Sequence, residues 1–470
     1  MKVVRRRALF HEHKRSNLYR VFILVVVILA AAWFVRALDS GVVHHPFQPS
    51  PTPTRTAQSY ALEGEAFFEA GYLDAAIAAY QQATLVDPSA ADLWAELARI
   101  QTYSSSLETT EQQRRARLEE ARFSIEQAVA LAPDDSTVHA IRALVLDWSA
   151  SAAQSEEDRQ ALLIQAEQAA TRALQLDNQN VLALAFYAEV LVDQQKWSQA
   201  EQVILQAVAR DPTLMDVHRV YAYVLESTSR YRQAIEEYNR AIAINPNLTF
   251  LYISAGLNYR RLAFESPIQE QRDQLYAQAL EYFDRAARLN EQLGIQDPLP
   301  YVAIAKTYSQ QGEFFAASRN MLVAISFDTT NPDLYGQLGI IYFKARNYEG
   351  SIPALQCAVR GCDPEVSCQA RFGQSCQGDE GVTVEGLPLS PNTVVYYYTY
   401  GSVLAALSRP QQNYCPEAVT VLNEVRAAYG SDPIIAAIVD DGLQICASLQ
   451  QTLRQSTPVP TPTPLPTPVP

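Results

Sequence analysis

The chain has 470 residues, with 37 Lys+Arg against 51 Asp+Glu and a formal net charge of −14. Hydrophobic residues at 48% with charged residues at 19% exclude a largely disordered chain, and the acidic balance argues against nonspecific nucleic-acid binding. Of the 26 prolines, Pro46, Pro49, Pro51, Pro53 and the seven from Pro458 to Pro470 lie near the ends, which leaves an interior rich in Ala, Leu and Gln and suited to α-helix.

Residues 1–20 hold Lys2, Arg5, Arg6, Arg7, Lys14, Arg15 and Arg20 against Glu12, so the rest of the chain carries −20. An unbroken apolar run follows from Val21 to Val35, bounded by Arg20 and Arg36. Fifteen helical residues rise about 22 Å, short of a hydrocarbon core of roughly 30 Å. With Arg20 and Arg36 snorkelling and Tyr19 and Trp33 at the interfaces, the run becomes a full span. The expectation is a basic cytoplasmic tail at 1–17, a transmembrane signal-anchor helix at 18–38, and everything later outside the cytoplasm. The rival is a cleaved signal peptide, for which Val35-Arg36-Ala37 is a poor cleavage site. Residues 39–56 read as a Pro/Thr-rich linker.

From residue 57 the sequence repeats with a period of 34. Tyr60, Gly64, Phe67, Ala76, Tyr80, Ala83 and Pro88 recur at the same offsets as Leu184, Ala188, Leu191, Ala200, Ile204, Ala207 and Pro212. They recur again as His218, Ala222, Leu225, Ala234, Tyr238, Ala241 and Pro246. Three units are longer by eleven residues, about three helical turns, and carry polar stretches at Ser104–Arg114, Ser151–Arg159 and Glu265–Arg272 expected to project as hairpins. Small residues fit where two helices cross, and aromatics fill the space between neighbouring pairs. This pattern resembles the tetratricopeptide repeat (TPR) family. The resemblance implies an all-α TPR superhelical solenoid of about nine helix pairs over 57–431. A C-terminal capping helix at 432–454, one N-terminal transmembrane helix and a Pro/Thr-rich disordered tail at 455–470 complete the expected organisation.

All six cysteines, Cys357, Cys362, Cys368, Cys376, Cys415 and Cys446, fall in the last quarter, as disulfides would outside the cytoplasm. Cys415 and Cys446 are equidistant from a turn at Gly430-Ser431 and are expected to bond across antiparallel helices. The other four flank or occupy an insertion at 361–389. Three pairings are open, with a lean to Cys357–Cys376 and Cys362–Cys368. The spacings lack the C-x2-C knuckle of zinc, so no metal is expected.

No nucleotide-loop, zinc-protease or nucleophile-elbow motif occurs, so no enzyme activity and no cofactor is expected. His139 and His218 sit at a large-residue helix offset and read as packing residues. In the TPR family the first helix of each pair lines a concave groove. The corresponding positions here give Arg219, Tyr223, Arg260, Arg261, Lys306, Phe343, Lys344 and Tyr398. Five cations on one surface of an acidic body suggest a groove for an acidic or carboxylate-bearing segment of a partner protein, with the aromatics as anchors. The function expected is a membrane-anchored, extracytoplasmic scaffold for protein–protein interactions in the cell envelope. The alternative is a receptor-like module that binds an envelope polymer through the Cys-rich insertion and the hairpins.

Overall fold

The structure is a computed structural model and describes residues 17–39, 55–374 and 380–456. The basic tail, most of the linker, Cys376 and the Pro/Thr tail lie outside the described residues. The chain divides into two units, residues 1–55 and 56–470. In the first, α1 (Leu18–Asp39) contains a 19-residue stretch, Leu18–Arg36, of mean hydropathy 2.5 with none of it buried. It is long and apolar enough to cross a membrane, the property shared by anchors and signal sequences.

The second unit is a file of helix pairs. The first four are α2 (Ala57–Glu69) with α3 (Leu73–Val86), α4 (Ala91–Ser104) with α5 (Glu111–Leu131), α6 (Ser136–Ser151) with α7 (Glu156–Leu176), and α8 (Val181–Asp193) with α9 (Trp197–Arg210). Next come α10 (Met215–Ser227) with α11 (Tyr231–Ile244), α12 (Thr249–Glu265) with α13 (Gln269–Leu293), and α14 (Leu299–Gln311) with α15 (Phe314–Phe327). After α16 (Pro332–Lys344) and α17 (Tyr348–Val359), the insertion carries a short α18 (Pro364–Phe372). The ninth pair is α19 (Val394–Leu407) with α20 (Cys415–Tyr429), and α21 (Pro433–Ser456) caps the stack. Among the described residues no strand forms beyond isolated bridges at Cys362–Val384 and Arg409–Gln412.

The repeat pattern has direct physical causes. A Cβ on Gly64 would lie 2.5 Å from the Tyr80 ring, so only glycine lets α2 approach α3 this closely. Ala76 and Ala83 on α3 are fully buried. The large residue near the start of the first helix packs and also donates to a carbonyl six residues earlier. Trp94 reaches Pro88 at 3.1 Å, His139 and His218 reach Pro133 and Pro212 at 2.8 Å, and Tyr252 reaches Pro246 at 2.9 Å. The two histidines are thus packing and capping groups, and the recurrent proline carbonyl has a fixed donor. In every 34-residue pair one turn residue is left-handed: Gly71, Gln195, Ser229, Gly312 and Arg346, with φ from 60° to 88°.

The eleven extra residues of the long units go mostly to the second helix. Helices α5 and α7 have 21 residues and α13 has 25, against 14 in α3, α9, α11 and α15. The stretch Ser104–Arg114 does not project into solvent as expected. Ser104 and Ser105 are buried, and Thr109 donates from Oγ1 to Asp328 Oδ2 at 2.7 Å, 219 residues away. Asn331 Nδ2 returns to the Thr109 carbonyl at 3.4 Å, and Asn247 Nδ2 donates to the Glu69 carbonyl at 2.9 Å. The early pairs therefore touch later ones across a tight superhelical turn, and this stretch fills the gap.

Cys415 and Cys446 are bonded, with Cα atoms 5.4 Å apart, which ties α21 to α20. Cys357 is bonded to Cys362, not to Cys376, and Cys362 is therefore not paired with Cys368. The cause is local. Helix α17 ends at Val359, Gly361 takes φ 78°, and the chain folds back to set Cys362 4.6 Å from Cys357 in Cα distance. Cys368 is also disulfide-bonded.

Candidate functional site

The first helices of successive pairs meet on the inside of the turn. Arg219 of α10 is 6% exposed and donates from both terminal nitrogens to Glu189 of α8, at 2.7 and 2.6 Å. Glu189 also accepts from Trp148 Nε1 of α6 at 3.0 Å. The guanidinium lies 5.3 Å from the Tyr103 ring centre and 5.6 Å from that of Trp148. Across the turn, Arg99 of α4 is 3.1 Å from Asp216 of α10, which also accepts from the Tyr103 hydroxyl. Phe250 of α12 stacks on Tyr103 with centres 5.5 Å apart. Buried charges here are paired and hydrogen-bonded, as low-dielectric burial requires.

Beside this network opens a cavity of about 450 Å³ whose wall carries Glu108, Asp147, Glu189, Asp193 and Glu226 against Arg114 and Arg219. Burial, followed by the nearby Asp193 and Glu189 charges, pushes the Asp147 pKa well above the usual carboxylate range, with Arg219 opposing. Burial pushes Asp193 up to about 6, against the hydrogen bond it accepts from the Tyr223 hydroxyl. Glu226 is raised by burial too, against bonds from Asn258 Nδ2 at 2.6 Å and Tyr238 at 3.1 Å.

The eight groove residues expected from sequence separate into three places. Arg219 and Tyr223 belong to the network just described, where a carboxylate of α8 already occupies each, so neither is free to meet a partner's carboxylate. Arg260 and Arg261 are neighbours on α12, and the Arg260 charge reaches Lys306 of α14. Arg260 Nη1 lies 3.5 Å from the Ala303 carbonyl and its guanidinium 6.0 Å from the Phe283 ring, while Arg261 and Lys306 are exposed. Burial and the Arg261 charge pull the Arg260 pKa down. Desolvation by the surrounding protein lowers Lys306, with Asp333 opposing and the Arg260 charge adding to it. Phe343, 39% exposed and packed on Tyr348 at 5.8 Å, stands apart with Lys344, as does half-buried Tyr398. Among the described residues no hydrogen bond or ring contact joins these three to the cationic cluster.

The sequence reading passed over the acids of the lumen. Asp147, Glu189, Asp193 and Glu226 stand at the same groove offsets as cations it selected, and Asp216 at a further offset of the same groove rule. Applying that positional rule to both signs of charge would have found them.

Family models described as tetratricopeptide repeat match residues 62–102, 163–223 and 220–248. The chain carries tetratricopeptide repeats. Solved structures resemble this TPR body at low identity. A thermophilic TPR protein of Thermus thermophilus is 18% identical, covering 43% of this chain and 98% of its own, with a TM-score of 0.36. A TPR protein of Parabacteroides merdae is 16% identical over 61% of this chain and 93% of its own, with a TM-score of 0.38. A monomeric mutant of IFIT1, solved with m7Gppp-AAAA, is 11% identical over 84% of this chain and 80% of its own, with a TM-score of 0.48. No curated protein matches the chain in sequence. TPR repeats make the body a protein-interaction scaffold.

Proposed function

We propose that the chain is a membrane-anchored, extracytoplasmic TPR scaffold that organises other proteins of the cell envelope. The observation that carries this reading is the disulfide Cys415–Cys446, together with Cys357–Cys362, in a chain whose N-terminal apolar helix follows a basic lead. Disulfides persist where thiols are oxidised, and a basic lead before a span favours a cytoplasmic N-terminus. The partner surface is the cluster of Arg260, Arg261 and Lys306, in which burial and then the Arg261 charge lower Arg260, and burial and the Arg260 charge lower Lys306 against Asp333. Such a cluster favours a carboxylate-bearing segment, which would relieve the mutual repulsion.

Two measurements test this. Alkaline phosphatase fused after Gln455 is expected to be active in cells, since that enzyme folds only outside the cytoplasm; an inactive fusion with an active N-terminal one would reverse the topology. A fluorescein-labelled Asp/Glu-rich peptide is expected to bind the full chain in detergent. The double substitution Arg261→Glu/Lys306→Glu should weaken it about tenfold or more, and equal binding by that variant would remove the cluster from the partner surface.

A further inference from the structure

The lumen cavity has a sign opposite to that of the Arg261–Lys306 surface, and nothing in the scaffold role uses it. We propose that this cavity, walled by Asp147, Asp193 and Glu226, binds a small organic cation bearing an alkylammonium or guanidinium group.

The decisive residue is Asp147. It is 1% exposed, it lines the cavity, and its Oδ1 has no hydrogen-bond partner. An orphaned carboxyl oxygen in a buried site carries the cost of an unmade hydrogen bond, and a cationic donor placed in the cavity would make that bond and favour the ionised carboxylate over the protonated form that burial imposes. The neighbouring charges do not supply that donor. Arg219 is committed to Glu189 through two hydrogen bonds. Arg114, the other cation of the wall, donates to Ser151 Oγ at 2.8 Å, and burial pulls its pKa down. Five carboxylates therefore face two guanidiniums.

The ligand's class follows from the remaining wall and from size. Trp148, Tyr223, Tyr238 and Phe250 also line the cavity. Their ring faces attract an ammonium or guanidinium and accept its methylene chain. A volume of about 450 Å³ is that of a small-molecule site. A bare metal ion does not fit, because among the described residues no three carboxylate, imidazole or thiol groups converge to hold one. The −20 carried by residues after the basic lead would steer a cation toward the body.

The test is isothermal titration of the full chain in detergent micelles with spermidine, with 1,8-octanediol as a neutral chain. Spermidine is expected to saturate a single site and the diol to give no saturable heat. Asp147→Asn should weaken spermidine about tenfold or more. Because that substitution replaces a buried carboxyl whose Oδ1 has no hydrogen-bond partner by an amide of the same shape, its thermal unfolding should stay cooperative; if it does not fold, Asp193→Asn gives the same reading. Glu270→Gln, at an exposed carboxylate on α13, should bind as the parent does. No saturable binding, equal heat from the diol, unchanged affinity in Asp147→Asn and Asp193→Asn, or an equal loss in Glu270→Gln would each overturn the proposal. Displacement of spermidine by N-acetyl-lysine methylamide would assign the cation to a partner's side chain, and failure to displace would assign it to a free amine; both outcomes sustain the cation site.

Discussion

Arg219 and Glu189 meet in a two-pronged hydrogen-bonded pair at 2.6 and 2.7 Å, buried on the inner wall of the repeat body and roofed by Tyr103 and Trp148. The pair joins α10 to α8 and fixes how tightly successive helix pairs turn. Its removal should therefore be felt in stability before it is felt in binding.

Glu189→Gln leaves the guanidinium buried without its counter-charge and should cost about 3–5 kcal/mol, read by urea unfolding. The double variant Glu189→Gln/Arg219→Met should recover most of that loss, since the uncompensated charge is gone. A single variant as stable as the parent would show that the pair is open to water.

The Cys415–Cys446 bond closes a loop of 31 residues and should contribute about 3.5 kcal/mol through the unfolded state, against about 2 kcal/mol for the five-residue Cys357–Cys362 loop. Cys415→Ala/Cys446→Ala should loosen α21 first, seen as faster hydrogen exchange over 433–453. Uniform loss across the body would contradict a local clamp.

Stability should fall as pH rises from 5 to 8. Asp147 and Asp193 keep protons in the folded chain where the unfolded chain has lost them, with Asp193 near 6, so folding takes up protons across this window. His218 acts in the same direction. Its hydrogen bond to Glu237 raises its pKa, so its contribution is full below the unfolded value and lost above the folded one. Glu167, lowered by its hydrogen bond from Lys196, titrates below the window. The melting temperature is expected to be higher at pH 5 than at pH 8, with a shallower slope in Asp147→Asn; a rise toward pH 8 would contradict these environments.

Gln195, Ser229 and Arg346 adopt left-handed φ of 60–62° at a turn where Gly71 and Gly312 stand in sister pairs. Replacing Ser229 or Arg346 by Gly should stabilise by about 0.5–1 kcal/mol each, measured as a higher denaturant midpoint. A loss would mean that the side chains hold the turn.

The hairpins were legible in the sequence because each rests on local periodicity: Gly64 against Tyr80, Ala76 and Ala83 at the crossing, a late proline that ends each unit. The Cys415–Cys446 pairing followed from symmetry about one turn. What escaped the reading lies far apart in the chain. Arg99 with Asp216 and Thr109 with Asp328 are more than a hundred residues apart, and no short-range pattern records that the superhelix closes this tightly. Closure turned Ser104–Arg114 from a projecting hairpin into filler and put Arg99 against Asp216. Cys357–Cys362 was hidden in another way, by the single left-handed Gly361 that doubles the chain back.

The early pairs fold against the later ones around a shared lumen. Disulfide trapping of Thr109→Cys/Asp328→Cys, whose side chains approach to 2.7 Å, tests it, with Ser136→Cys/Asn180→Cys as a neighbouring-pair control at 2.9 Å. Both bonds are expected to form and to be found by peptide mapping; a bonded control beside free thiols at 109 and 328 would contradict the closed turn.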